Sequence, residues 1–192
     1  MGLVNHGITT NTPGNIPFGA GAYYKNLKFE GNAWSGTCIG ATNGGGKVSI
    51  EGELTDLEVD GALVNWIGQT VKTGGKASME VNLAELTGDN IKMTTHFEET
   101  DSDVDGYIKY VDKASIKKDD YIENFAFVGE TADKSKKIIV IFDYALCTSA
   151  FEHEGKNKEQ STLKATMVAY SELNDSLDIM PVRIYYPGEI SA

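Results

Sequence analysis

The sequence predicts a mainly β protein, an antiparallel β-sandwich or partly closed barrel with one short flanking α-helix. Three observations support this fold class. Residues 77–83 alternate apolar and polar side chains, as a strand with one buried face does. Residues 137–142 are almost continuously apolar, which is typical of a strand covered on both faces. Helix-start signals stand at Thr87, which can cap a short helix with Asp89 in its first turn.

The N-terminal 20 residues predict an arm outside the core. They are rich in Gly, Asn, Thr and Pro, and they have too few apolar side chains for burial to offset the entropy lost on ordering. Two interpretations stay open, a frayed terminus and an arm that orders on a neighbouring subunit. The first strand is predicted at about residues 22–30. With about ten strands and one helix in all, residues 1–192 are predicted to form a single domain.

The stretch 43–93 predicts three antiparallel strands that lead into the helix. A hairpin signal at Asp60-Gly61 and a turn at Gly74-Gly75 separate them. The apolar positions of the first run change parity after Leu54, which predicts a bulge or bend near Thr55-Asp56. The predicted strands are residues 48–59, 63–71 and 77–83.

The second half of the chain predicts further strands around the most buried one. Residues 121–128 are apolar at both parities, so both of their faces should be covered. Residues 137–142 should be the most buried strand and, with their neighbours, dominate stability. The other predicted strands are residues 149–154, 162–170 and 182–186. Cys38 and Cys147 are expected to be buried free thiols.

The acidic stretch 98–112 has the spacing of a calcium-binding loop. Its potential ligands stand at alternate positions, with Gly106 available for the sharp turn. However, the last ligand position holds Asp rather than the longer Glu, and the following YIKYV is strand-like. A solvated acidic hairpin turn is therefore favoured, and no metal ligand is assigned. The candidate ligands are Asp101, Asp103, Asp105 and Asp112.

Nothing in the sequence predicts catalysis. His6, His96 and His153 are isolated from one another and from any cysteine at metal-ligand spacing, and no nucleophile-elbow, zinc-protease or phosphate-loop motif occurs. The chain is therefore predicted not to be an enzyme and to bind no cofactor. A net charge of −11 also argues against a phosphate-gripping protein, whose affinity depends on basic side chains. Without an apolar run of ~20 residues or a signal peptide, a cytoplasmic product is expected.

Four phrases follow one another along the chain: IPFGAGAYYKNLKFEG, GATNGGGKVSIEGELTDLEVDGALV, DYIENFAFVGE and IIVIFDYALC. Taken together and in this order, they resemble the major tail proteins of long-tailed bacterial viruses. These proteins form the tail tube. The resemblance extends from about Ile16 to Tyr186 and has no catalytic motif.

The resemblance implies a tail-tube-like fold and a structural role in the virion. Subunits would form stacked hexameric rings, and genome DNA would pass through the lumen without specific binding. The implied partners are further copies of the chain, the tape measure protein, the tail terminator and the baseplate or tip, with no membrane. Assembly would take place in the host cytoplasm and the product would be the virion tail. Two alternatives stay open, the tube of a phage-derived bacteriocin or injection apparatus and a calcium-dependent β-sandwich binding module.

Two surface predictions accompany this implied role. The loops between the strands of residues 43–93, with Trp66 among them, are expected to make the contacts between subunits. Because an acidic lumen would repel DNA and let it slide, acidic and polar side chains that alternate with core positions are expected to line the channel. These residues are Glu51, Glu53, Glu58, Glu80 and Asn82.

Overall fold

The structure is a computed structural model that describes residues 7–155 and 157–188. In this part of the chain it contains ten β-strands, one α-helix and two short 3-10 helices, at Pro13–Asn15 and Lys118–Asp120. The other elements are β1 (Pro17–Glu30), β2 (Ala33–Cys38), β3 (Thr42–Asp56), β4 (Thr70–Leu83), α1 (Gly88–Thr95), β5 (Glu98–Thr100), β6 (Lys109–Val111), β7 (Ile122–Thr131), β8 (Lys137–Cys147), β9 (Leu163–Tyr170) and β10 (Val182–Tyr185).

The strands form one large antiparallel sheet and one small hairpin. The large sheet has the order β2-β1-β7-β8-β9-β4-β3, with β10 also paired to β8, and β5 pairs only with β6. The sheet does not close into a barrel, and its layers are those of a β-sandwich with one helix. The prediction of a mainly β, antiparallel fold is therefore confirmed, in its sandwich form.

The sheet divides into two layers at Asp143 in β8. One edge of β8 pairs with β7, and the other edge carries two strands end to end. β10 pairs with Ile139–Phe142, whereas β9 pairs with Tyr144–Cys147. Between them, the Asp143 amide donates a hydrogen bond to the Pro181 carbonyl at 3.0 Å. β9 pairs in turn with β4, and β4 pairs with β3. The strand group that contains β10 and the strand group that contains β9 therefore separate at Asp143 and enclose the core between them.

Arg183, the single arginine of the chain, bridges the strands at the point where the sheet divides. Its Nε donates to Asp143 Oδ1 at 2.7 Å and its Nη2 donates to Asn124 Oδ1 at 2.5 Å. Asn124 is a buried residue of β7 with a positive φ of 47°. One guanidinium therefore connects β10, β8 and β7, and its planar fork suits two acceptors at fixed angles.

The main core lies between the two layers. The alternation of residues 77–83 is confirmed, because Ala77, Met79, Val81 and Leu83 are buried. On the facing layer the largest buried side chains are those of Tyr23, Phe125 and Phe142. Both faces of residues 121–128 and of β8 carry buried side chains, which confirms those two predictions as well. A smaller cluster on the opposite face contains Leu27, Ala126, Ile139 and Ile141.

Tyr23 connects the two layers through the core. Its hydroxyl donates to the Glu80 carbonyl of β4 at 3.0 Å. Burial, with a smaller effect of the Glu80 charge, raises the pKa of Tyr23 to about 12, so the phenol keeps its proton. A Cβ at Gly46 would lie 2.0 Å from this hydroxyl, so the close approach of β3 to Tyr23 requires glycine there.

Aromatic side chains from β1, β2 and β10 cover the smaller cluster. Trp34 of β2 packs against Phe29 of β1, with ring centroids 5.2 Å apart. It also packs edge-on against Tyr185 of β10 at 4.9 Å. β2 and β10 are separated by β1, β7 and β8 in the sheet, so this contact shows that the layer curls strongly.

Helix α1 begins as predicted. The Thr87 hydroxyl caps it by accepting from the Asn90 amide at 3.2 Å. The buried Asn90 side chain donates to the carbonyls of Ile39 and Glu85, each at 3.1 Å. Together with the buried Met93, these bonds hold the helix over the end of the sandwich near the β2–β3 connection.

Several predicted boundaries are wrong. β1 begins at Pro17, five positions before the predicted start at 22, because Pro17 and Phe18 pair with Thr131 and Glu130 of β7. The predicted arm therefore overlaps a strand, and its first six residues lie outside the described part of the chain. Residues 149–154 form no strand. Cys147 is buried as expected, whereas Cys38 is exposed, since it lies on edge strand β2.

The largest error concerns residues 57–75. Residues 63–69 belong to a loop rather than a strand, and β4 begins only at Thr70. Gly74-Gly75 lies inside β4 opposite Glu53 and Gly52, so it is not a turn. The bulge predicted near Thr55-Asp56 is found between Glu53 and Leu54. Apolar residues were assigned to buried strands there, whereas the structure leaves them exposed.

Replacing Phe142 with Ala is expected to destabilise the fold by about 3–5 kcal/mol, because the fully buried ring leaves a cavity at the division of the sheet. Phe18→Ala is the matched control, since Phe18 is 74% exposed and its loss should cost less than about 0.5 kcal/mol. Urea unfolding measures both values. Similar free energies of unfolding for the two variants would contradict the placement of Phe142.

The ion pair between Lys113 and Asp120 stabilises the segment after β6. The side chains of Lys113 and Asp120 are only 12% and 8% exposed and contact each other. Burial by itself would raise the pKa of Asp120, but the Lys113 ammonium and the Lys117 backbone amide outweigh it and hold this pKa below its usual range. Because the pKa is lowered, the stabilisation is present above pH ~4 and is lost as the pH falls through the lowered value.

Asp120→Asn is expected to lower the free energy of unfolding by about 1–3 kcal/mol at pH 7, since the charged partner of Lys113 is lost. The difference from the unmodified chain should shrink below pH ~4, where the native Asp120 becomes protonated. Denaturant titrations at a series of pH values measure this difference. Asp119→Asn, at an exposed neighbouring position, serves as the control. A difference that persists unchanged at low pH would exclude the ion pair as its cause.

Candidate assembly interface

The β3–β4 hairpin extends beyond the core of the sandwich. β9 pairs with β4 only at Ser78–Leu83, so Thr70–Ala77 pairs with β3 alone. From Ile50 to Lys76, every residue except Gln69 and Gly74 is exposed. The part of the hairpin from Ile50 to Lys76, including its loop at residues 57–69, is called the projecting hairpin below.

The projecting hairpin carries large apolar side chains that nothing in the described chain covers. Leu63 is 96% exposed and Ile67 is fully exposed. Exposed apolar side chains in such number are a feature of interaction surfaces. The exposed large apolar residues of the projecting hairpin are Ile50, Leu54, Leu57, Val59, Leu63, Val64, Trp66, Ile67 and Val71.

The loop at the end of the projecting hairpin is held by its own hydrogen bonds. The Leu57 amide donates to the Gln69 carbonyl at 3.0 Å and closes the base of the loop. The Trp66 amide donates to Gln69 Oε1 at 3.1 Å. The predicted Asp60-Gly61 turn is present, with a φ of 89° at Gly61, but it lies within this loop and does not join two strands directly. The apolar side chains are therefore presented on a defined backbone.

A second apolar segment, residues 171–181, lies against the base of the projecting hairpin. It exposes Leu173, Leu177 and Ile179 by 88%, 66% and 67%. Residues 177–181 line a cleft of about 410 Å³ together with residues 72–75 of β4. Met180 Sδ lies 2.7 Å from where a Cβ of Gly75 would be, so a larger residue at this position would make the Met180 side chain shift. The two segments consequently form one surface.

Strand edges are also open for pairing. In the part of the chain that the structure describes, β3 pairs only with β4 and β2 pairs only with β1. Unpaired strand edges expose backbone donors and acceptors that another chain can satisfy. Within the described residues, β2 and β3 thus offer unpaired edges in addition to the apolar surface.

The residues predicted to line a channel lie on the strands of this hairpin or on its loop. Glu51, Glu53 and Glu58 are exposed, and Glu80 and Asn82 are half-buried and alternate with the core positions of β4. A hydrogen bond from Ser49, followed by the charge of Lys76, lowers the pKa of Glu51, so this carboxylate stays ionised. Glu80 pairs with Lys164 at 3.2 Å. Their position toward a lumen stays a prediction.

The acidic stretch forms the turn of the β5–β6 hairpin. Asp101, Asp103, Asp105 and Asp112 are all exposed, and Asp103 pairs with Lys109 at 3.1 Å. Hydrogen bonds from its own backbone and from Lys109 lower the pKa of Asp103. Among the residues described, no group of three or more His, Cys, Asp or Glu side chains is placed to hold a metal ion.

Two of the three histidines, His96 and His153, lie within the described residues. His96 ends helix α1 with a φ of 59°, and its Nε2 donates a hydrogen bond to the Cys147 carbonyl at 2.7 Å. His153 is exposed in the segment after β8, and His6 lies outside the described residues. The His96 contact has a structural use, because it ties the helix end to the end of β8.

Sequence reasoning identified Trp66 but missed much of this surface. Leu63 and Ile67 were assigned to a strand, so their exposure was not foreseen. No regular pattern predicted that the apolar residues of segment 171–181 belong to this surface. Their irregular spacing among polar residues, in SELNDSLDIMP, was the available signal, since it fits neither the period of a strand nor that of a helix.

No protein-family model matches this chain, and no curated protein matches it. No helix within the described residues has the length and apolar character needed to cross a membrane.

Trp66→Ala is expected to change the free energy of unfolding of the monomer by less than about 0.5 kcal/mol, because Trp66 lies on the projecting hairpin and is 45% exposed. Thermal or urea unfolding of dilute protein measures this change. A decrease of the size seen for a buried aromatic residue, about 3 kcal/mol or more, would show that Trp66 belongs to the core.

Proposed function

We propose that this chain is a structural, self-assembling subunit of a phage tail tube. The observation that supports it best is the projecting hairpin, which exposes a row of large apolar side chains on a defined backbone outside the core. A monomer gains nothing from such an extension, whereas a neighbouring copy that covers it removes the apolar side chains from water. The role requires no catalytic residue and no cofactor.

In the proposed assembly the open sheet edges pair between copies. Pairing of β2 or β3 with a neighbouring chain would satisfy the free backbone groups and join the sheets around a lumen. Copies related by rotation close into a ring, and the projecting hairpin then contacts the next ring. The hexameric state and the virion tail as destination come from the sequence resemblance. The tape measure protein, tail terminator and baseplate or tip are proposed as further partners on the same ground.

The acidic balance of the chain is compatible with a DNA conduit. With a net charge of −11, a ring of copies is strongly acidic, and exposed carboxylates such as Glu51 and Glu53 are available to line it. Repulsion from all sides keeps the duplex away from the wall within a screening distance of about 8 Å. DNA would therefore pass without being bound. The same tube in a bacteriocin or injection apparatus would differ in its cargo.

The double variant Leu63→Ser with Ile67→Ser is expected to keep the monomer's melting temperature and to lose assembly, because both side chains are almost fully exposed. Val104→Ser with Ile108→Ser is the matched control. These apolar residues are 54% and 60% exposed in the turn between β5 and β6. Negative-stain electron microscopy and sedimentation velocity over a concentration series measure assembly.

Two outcomes would count against the proposal in different ways. If the unmodified chain stays monomeric at every concentration, the self-assembling role is wrong. If it forms tubes and the Leu63/Ile67 variant forms them equally well, the tube is retained but the projecting hairpin is not its contact surface. Loss of tubes in the Val104/Ile108 control variant as well would show that the loss of assembly is not specific to the projecting hairpin.

A further inference from the structure

A pocket separate from the projecting hairpin opens beside the ends of β8 and β9. Its volume is about 480 Å³, within the ~300–1,000 Å³ of small-ligand pockets. It combines aromatic rings with one carboxylate and one ammonium group. The lining residues are Lys118, Tyr121, Tyr144, Tyr170, Ser171, Glu172, Leu173 and Asn174.

Three tyrosines supply the aromatic walls. The rings of Tyr121 and Tyr170 stand nearly perpendicular, at 80°, with centroids 5.2 Å apart. Tyr144 supplies a third ring, and its hydroxyl donates to Glu172 Oε2 at 3.3 Å. Aromatic faces attract cations, and the carboxylate adds an acceptor for an ammonium N–H. The pocket therefore has the chemistry of a cation site.

The chain already places an ammonium group in this pocket. Lys118 Nζ lies 5.7 Å from the centroid of the Tyr144 ring and pairs with Glu172. The hydrogen bond from Lys118 lowers the pKa of Glu172, which keeps the carboxylate ionised. However, the Lys118 side chain is 68% exposed, and exposed ion pairs contribute little to stability. Lys118 can consequently leave when another cation takes its place.

We propose that this tyrosine pocket binds a lysine side chain of another polypeptide, which replaces Lys118 between the Tyr144 ring and Glu172. Lysine fits better than a quaternary ammonium group, because its N–H groups can donate to the Glu172 carboxylate as those of Lys118 do. Glu172, with Glu123 acting on the same site electrostatically, disfavours anionic ligands. All parts of the site come from one chain, and because residues 171–174 also belong to the apolar segment beside the projecting hairpin, binding is measured on the unassembled chain.

The test uses Lys118→Ala in the full chain, with the tyrosine rings labelled for NMR. The probe is Nα-acetyl-lysine N-methylamide, and the matched probe without the ammonium group is Nα-acetyl-norleucine N-methylamide. Only the lysine probe should shift Tyr121, Tyr144 and Tyr170 saturably. Its affinity should exceed that for the unmodified chain by about ten-fold, the order of one good cation–π contact. Lys118→Gln should behave like Lys118→Ala.

Three further variants separate the pocket from general charge effects. Lys117→Ala, at an exposed neighbouring position, removes the same charge and should leave the affinity of the unmodified chain unchanged. Added to Lys118→Ala, Glu172→Gln should reverse the gain, whereas Tyr144→Phe should retain most of it because the ring remains. Circular dichroism checks that each variant is folded. Equal shifts with the norleucine probe, or no saturable shift in folded Lys118→Ala, would overturn the proposal.

Discussion

Strand β8 is the element on which the rest of the fold depends. It is buried on both faces, it pairs with β7 along one edge, and its other edge is shared by β10 and β9. A strand covered in this way must consist almost entirely of apolar residues, as residues 138–142 do. Its single polar interruption, Asp143, is the residue at which the two strand groups separate. Arg183 neutralises that carboxylate and connects it to β7, so the division of the sheet has its own ion pair.

Along β3 and β4, one part of the hairpin supports the core and the other part lies in solvent. In its second half, Ser78–Leu83, β4 lies between β3 and β9 and contributes side chains to the core. In its first half, Thr70–Lys76, no third strand supports the hairpin, and apolar residues of the same pattern lie in solvent. Ile50 and Val48 have the same parity, yet Val48 packs against the core and Ile50 is exposed. A substitution in such an extension removes no core contact, so its residues can be ones that contact a partner.

Charge is distributed differently from apolar surface. Many of the carboxylates are paired, as Glu80 is with Lys164 and Glu172 with Lys118, although the chain as a whole is strongly acidic. Exposed pairs of this sort contribute little to stability and are easily exchanged for other partners. The half-buried pair of Lys113 and Asp120 differs, because both side chains are desolvated and their separation would leave a charge without a partner.

The sequence by itself determined the fold class, the β4 alternation, the doubly covered strands and the Thr87 cap, because each depends on periodicity or on a local hydrogen bond. It could not determine where the hairpin leaves the core, since Leu63 and Ile67 have the composition of buried residues and only the missing third strand exposes them. Cys38 is exposed for a similar reason, because β2 lies at an edge of the sheet and has a neighbour on one side only. The tyrosine pocket joins residues 118–121, 144 and 170–174, which no local pattern relates. Its geometry exists only because β7, β8 and β9 pair in this order, which is a property of the tertiary structure.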